Sequence, residues 1–381
     1  MPKLKDQTKR QDAAFFLAVK KRSQVANPTQ SGNRLLQASI GMMPIFLTVS
    51  FGLMFGCNKS SPHQKNEQAS NATPQEETQA SNGVNLVALN GPSADGLQPK
   101  RAFEYLEKIC SIGSRTTGTP GMLKQQEMLE EHFEKLGGNV LWQAFNSRHP
   151  ETGANVEIKN LVVRWRPDIS ERVFLCTHYD TKPFPAMDPK NPKGLFLGAN
   201  DGGSGTALFM ELGHLMNGLP LQVGVDFVFL DAEELVYVEN RDPYFLGSKY
   251  FAQAYLSDTT SPRYRCGILL DMIGDADLQL YYEENSFKFA KPLVTEVWGI
   301  AKQLGIKEFE PKLRHFIRDD HIPLNEEAKI PVIDIIDFDY PRGAPKNKSY
   351  WHTMADTPDK CSGASLTKVG RVLVEWMKRQ R

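Results

Sequence analysis

Side chains able to hold a cation or move a proton fall at the starts of loops: His178, Asp180, Asp201, Glu233, Glu234, Asp271, Asp319, Asp320, His321 and His352. Any one of them alone reads as a surface carboxylate or a hydrogen-bonded histidine. Several of them following successive apolar runs weaken that reading. Imidazole nitrogen and carboxylate oxygen suit a borderline cation such as zinc, and a catalytic zinc takes three protein ligands and leaves one position open. Asp201, Glu234 and His352 meet that need from three separate loops. Glu233 and Glu234 are adjacent, and beside one cation they divide the work: one ligates while its neighbour moves protons.

Other chemistries find less support. Asn200–Gly205 reads Asn-Asp-Gly-Gly-Ser-Gly, whose glycines permit a sharp turn and close approach to a metal site. It lacks the GxSxG spacing that would make Ser204 a nucleophile, and the chain has neither GxGxxG nor a P-loop. Lys plus Arg equals Asp plus Glu at 45 each, so nothing electrostatic points to nucleic acid as a partner. The five cysteines, Cys57, Cys110, Cys176, Cys266 and Cys361, form no CxxC pair and so no cysteine zinc site. Cys57 stands apart; the other four leave two disulfides or buried free thiols both open.

The elements that must position these groups follow from periodicity. Helices are expected over 99–112, from 118 to about 136, and over 205–216, 246–256, 291–304 and 365–377. Strands are expected over 139–145, 156–164, 173–177, 224–230, 266–270 and 330–336. Strands alternating with helices predict an α/β fold: a three-layer sandwich with a mainly parallel mixed central sheet flanked by helices. His178, Asp231 and Asp271 each directly follow a strand, and in such a sheet the C-terminal strand ends share one ligand-binding rim.

The catalytic domain is expected over 96–381. Residues 1–57 combine a basic segment with the uncharged apolar run Ile40–Gly56, ending at Cys57, and read as an export signal or membrane anchor. Lipidation of Cys57 is one form of this and an uncleaved anchor the other. Residues 58–95, rich in Ser, Asn, Gln, Glu and Thr, read as a disordered polar linker. The expected location is the cell envelope, facing the periplasm or the outside, with the membrane as partner through the N-terminal segment. Oligomeric state is left open.

From about residue 100 onward the chain resembles a known superfamily. His178-Tyr179-Asp180, Ala199–Gly205, Leu230–Glu234 (Leu-Asp-Ala-Glu-Glu) and Trp351–Met354 (Trp-His-Thr-Met) resemble the zinc aminopeptidases and animal-type glutaminyl cyclases. Leu269–Gly274, Asp319–Pro323 (Asp-Asp-His-Ile-Pro) and Trp351–Met354 look like the cyclase branch. The resemblance implies Asp201, Glu234 and His352 as zinc ligands and Glu233 as proton shuttle. It implies Asp271 and Asp319 in a hydrogen-bonded network beside Glu233, and Trp351 lining the substrate pocket, with Asp320 and His321 expected to touch substrate as well. The expected reaction is conversion of the N-terminal glutamine of peptides or proteins to pyroglutamate, with one zinc and loss of ammonia. Three features depart from cyclases: Arg318 stands where they carry glutamine, the loop after Glu234 lacks their pocket tryptophan, and Asp356-Thr357-Pro358-Asp359 is peptidase-like. His178 and Asp271 would hold a second zinc, with Asp201 bridging, in an aminopeptidase. A non-catalytic surface binding protein on the same fold is the third alternative.

Overall fold

The computed structural model describes residues 96–259, 263–343 and 348–381. The expected export signal and linker, and Cys57, lie outside them. Helices α1 (Pro99–Ser111) and α2 (Pro120–Lys135) precede the antiparallel pair β1 (Asn139–Arg148) and β2 (Asn155–Trp165). Then follow β3 (Arg172–His178), α3 (Gly203–Gly213), β4 (Gly224–Leu230), α4 (Leu246–Ser257) and β5 (Tyr264–Asp271). The remainder is β6 (Leu280–Tyr282), α5 (Glu284–Gln303), β7 (Phe309–Leu313), α6 (His321–Glu326), β8 (Val332–Ile336) and α7 (Gly363–Arg379). The main sheet has the order β1-β2-β4-β3-β5-β8. β4, β3, β5 and β8 run parallel, while β1 and β2 add an antiparallel edge.

Why this sheet is a middle layer can be read strand by strand. Every residue of β3 and β4 is buried, so neither face meets water. Successive side chains on a strand point to opposite faces, and the core divides accordingly. Leu175, Phe227, Phe229 and Leu270 pack with apolar residues of α1, α2, α3, α5 and α7. Phe174, Cys176, Val228 and Leu269 pack with α4 and α6 on the other face. The expected sandwich is thus observed. Helix α3 lies so close to β3 that a Cβ on Gly205 would sit 2.1 Å from Thr177 Oγ1, which is why glycine stands there.

Helix α5 begins earlier than the predicted 291. Glu283 caps an extra N-terminal stretch, accepting from the amides of Asn285 (2.9 Å) and Ser286 (2.6 Å). The helix then kinks at Ala290 (φ −140°, ψ 43°), just before Pro292, whose ring disfavours helical geometry there. The small parallel pair β6–β7 and helix α6 are too short to leave a periodic signature in the sequence. Cys110, Cys176, Cys266 and Cys361 are all free thiols, so the disulfide alternative does not hold.

At the N-terminal rim of the sheet, opposite the expected site, a charge is buried for structural ends. Arg172 opens β3 and donates to Asp226 of β4 and to the carbonyls of Trp165, Arg166 and Ile169. Asp226 also accepts from the Tyr264 hydroxyl of β5 at 2.5 Å. Replacing Arg172 by methionine leaves the buried carboxylate only the longer pairing with Arg164, at 3.6 Å. We expect a loss of about 3–5 kcal/mol in unfolding free energy, read from denaturant midpoints at unchanged slope. A loss below about 1 kcal/mol would mean the pair is worth no more than a surface one.

Candidate metal centre

The parallel strands deliver their ends to one rim. His178 and Asp271 are the last residues of β3 and β5, and Glu233 and Glu234 follow β4 by three and four residues. The turn after β4 is held by carboxylates that act on backbone. Asp180 accepts from the amides of Glu233 (3.1 Å) and Glu234 (3.2 Å). Asp231 accepts from the Thr117 hydroxyl (2.6 Å) and the Lys159 amide (2.8 Å). The loop carrying Asp201 is fixed likewise: Asp356 accepts from the amides of Asn200 (2.8 Å) and Asp201 (3.1 Å), and from the Tyr340 hydroxyl (2.9 Å). Buried Arg115 donates to the carbonyls of Leu197 and Gly198 in the same loop.

Backbone strain gathers at this rim. Ala232 (φ 57°), Met272 (φ 46°) and His352 (φ 55°) occupy the left-handed region. That region is uncommon for residues other than glycine and persists where the surroundings over-determine it. Each of the three is, or adjoins, a candidate site residue.

The geometry brings Asp201, Glu234 and His352 together. One ligand atom from each lies within 4.8 Å of the others, and all three residues are buried. His352 Nε2 is 3.0 Å from Glu234 Oε2 and 3.4 Å from Asp201 Oδ2. A second set, His178, Asp201 and Asp271, meets the same 4.8 Å limit. There His178 Nε2 is 3.2 Å from Asp201 Oδ1 and 3.2 Å from Asp271 Oδ1. Asp201 belongs to both, with one oxygen toward each.

The residues fit a divalent cation on two counts. Asp201 Oδ2 is buried and accepts no hydrogen bond, an orphan that a cation would satisfy. The donor set, imidazole nitrogen with carboxylate oxygen, is that of catalytic zinc sites. Electrostatics agree. Burial, then the Asp201 charge, pushes Glu234 well above the usual carboxylate range. Burial, reinforced by Asp319 and Glu234, does the same to Glu233. Burial and Asp271 carry Asp319 to about 7. Burial drops His352 to about 3, which keeps its imidazole neutral and able to ligate. Without a cation this pocket gathers protons, and a bound cation would displace them.

A cavity of about 300 Å³ stands over the centre, lined among others by Glu233, Asp271, Arg318, Asp319 and Trp351. Trp351 stacks on His352 (centroids 4.0 Å apart, planes 24°) and meets the edge of Phe338 at 5.1 Å. Tyr244 and Phe245 supply aromatic wall from the loop whose sequence lacks tryptophan. Two expectations need correction. Asp320 and His321 do not line the cavity: both are fully buried behind it. Asp320 accepts from Ser248, and His321 sits between Glu283 (3.4 Å) and Asp334 (3.9 Å). The hydrogen-bonded network expected beside Glu233 is also different. Asp271 pairs with His178, Asp319 accepts from the Asp320 amide, and the Glu233 carboxylate has no hydrogen bond among the described residues.

Sequence reasoning missed Lys182. Its amide donates to Glu234 Oε1 at 2.5 Å, and its buried ammonium reaches Glu239 (2.9 Å) and the Tyr244 hydroxyl (3.0 Å). Its position two residues after Asp180 was the available signal, but a lysine reads by default as surface.

The profile of peptidase family M28 matches residues 160–377. The mouse glutaminyl-peptide cyclotransferase-like protein is 24% identical over 309 residues, 74% of this chain and 76% of its own. The crystal structure of Fimbriiglobus ruber glutaminyl cyclase superposes with a TM-score of 0.70 at 41% identity, over 75% of this chain and 96% of that one. A leucine aminopeptidase precursor from Bacteroides thetaiotaomicron gives 0.69 at 28% identity, over 75% and 98%.

Removing a ligand side chain should release the cation. Glu234→Ala and His352→Ala, dialysed beside the parent protein and measured by elemental analysis, are expected to lose bound zinc while keeping the far-ultraviolet spectrum of the fold. Full zinc content in both would exclude the Asp201–Glu234–His352 set.

Proposed function

The chain belongs to peptidase family M28, and from that membership we propose a zinc-dependent glutaminyl-peptide cyclotransferase, which closes the N-terminal glutamine of peptides to pyroglutamate and releases ammonia. One observation carries the reading. Glu233, whose carboxylate has no hydrogen-bond partner among the described residues, faces a small chamber beside the Asp201–Glu234–His352 set, with the Trp351 indole as a further wall. The 41% identity to a solved glutaminyl cyclase supports it.

Zinc held by Asp201, Glu234 and His352 would draw electron density from the γ-carbonyl oxygen of the glutamine. Glu233 takes a proton from the α-amine as its nitrogen bonds to the γ-carbonyl carbon. It returns that proton to the amide nitrogen as the carbon–nitrogen bond breaks, so ammonia leaves and the five-membered lactam closes. The Asp180 carboxylate, by gripping the Glu233 and Glu234 amides, keeps the shuttle and the ligand in register. Trp351 offers the closing ring a flat apolar face.

A second reading has its own observation. His178, Asp201 and Asp271 form the second ligand set, sharing Asp201 with the first. Two zincs there would suit an aminopeptidase, in which water is the nucleophile and an N-terminal peptide bond is hydrolysed. A free Glu233 carboxylate is surplus to a protein that only binds, which weighs against the non-catalytic alternative.

Glu233→Gln is expected to retain zinc and lose turnover by roughly 10²–10⁴, because an amide accepts no proton; near-normal rate would remove Glu233 from the chemistry. Mass spectrometry of a glutamine-initiated peptide separates the two reactions. Cyclisation lowers the mass by one ammonia at constant chain length. A ladder of shortened peptides, with two zincs per chain, would replace the cyclase by the aminopeptidase.

A further inference from the structure

We propose that a groove beside the catalytic chamber, walled by Met187, Phe316, Ile317, Phe338, Tyr340 and Trp351, binds the side chains that follow the N-terminal residue of the substrate and selects large apolar ones. The inference rests on the reading that the site acts on peptide N-termini. The groove encloses about 450 Å³, and Ile317, Phe338 and Trp351 line both it and the chamber. A chamber of about 300 Å³ lies at the lower end of the range for small-molecule sites. It takes one residue, and a longer peptide that leaves across Ile317, Phe338 and Trp351 enters this groove.

The groove's chemistry decides what it prefers. Phe316 and Met187 are 65% and 55% exposed, large apolar side chains left without packing partners on that side. The charges nearby already serve one another: Asp339 is 2.8 Å from Arg314 and 3.5 Å from His315. Among the described residues that line the groove, His315 and Asp339 alone can carry charge, so a charged substrate side chain there would be desolvated with no further lining group to pair with. Arg318, which has no ion pair among the described residues, lines the chamber and a different groove beside Glu284 and Lys288, and does not line this one. The second and third residues of a glutamine-initiated peptide, if aromatic or aliphatic, cover Phe316 and Met187 and shed water from both partners.

The test reads binding apart from turnover. Zinc-loaded full-length Glu233→Gln protein is titrated calorimetrically with glutamine-initiated hexapeptides that carry phenylalanine, glycine, glutamate or lysine at position two or three. Phenylalanine at one of these positions is expected to tighten binding about tenfold over glycine, with glutamate and lysine no better than glycine. Adding Phe316→Ala, a truncation on the surface that leaves the core intact, is expected to bring the phenylalanine-to-glycine ratio down several-fold toward one. Equal affinities for phenylalanine and glycine overturn the proposal, as does tighter binding of a charged residue or a ratio unmoved by Phe316→Ala. The same peptides given to the parent enzyme report on the reaction separately. Phenylalanine preference without loss of ammonia leaves the groove standing and removes the cyclase reading.

Discussion

Carboxylates do not share a dry chamber unless something positive joins them. Asp201, Glu233, Glu234, Asp271 and Asp319 converge on one cavity whose histidine, His352, is held neutral. Protons or a cation must balance that charge: burial first, and the neighbouring carboxylates after it, raise Glu233, Glu234, Asp271 and Asp319 above their ordinary range. The rest of the rim is arranged around this demand. Asp180, Asp231 and Asp356 are acidic too, yet each is turned onto backbone amides, so they hold loops and leave the inner oxygens to the chamber.

That division of labour gives the centre its rigidity. The candidate ligands come from the last residues of β3 and β5, from the loops after β3 and β4 and from the segment around His352, and loops alone would let them drift. The amide grips, the buried Arg115 fork and three strained left-handed residues fix those loops to the sheet. The sheet itself is locked at its far rim by Arg172 and Asp226. Buried charge therefore stands at both ends of the same strands. At the N-terminal end it is fully paired; at the C-terminal end it is left open for chemistry.

Much of this was legible because strand ends are legible. The run Gly224–Leu230 is apolar save for Asp226 near its start and stops at an acid, so its boundary and the site residues after it announce each other. Asp201 could be read from the glycines after it, one of which, Gly202, adopts φ 74° beside the His178 ring. What failed was inference from adjacency in a motif. Asp319, Asp320 and His321 are consecutive, but the start of a short helix turns the last two into the interior. Lys182 escaped notice because its most direct hold on a ligand is through its backbone amide, which every residue type carries. The stretch of α5 before its kink depends on a side-chain cap at Glu283, local chemistry that periodicity does not register.

One carboxylate belonging to two ligand sets has an evolutionary corollary. Loss of His178 or of Asp271 would dismantle one set and leave Asp201, Glu234 and His352 whole. On the proposed reading, the number of ions held would thus be separable from fold, chamber and the Glu233 carboxylate by a single codon change. A lineage built on this scaffold could pass between one-ion and two-ion chemistry without crossing an unfolded or metal-free ancestor.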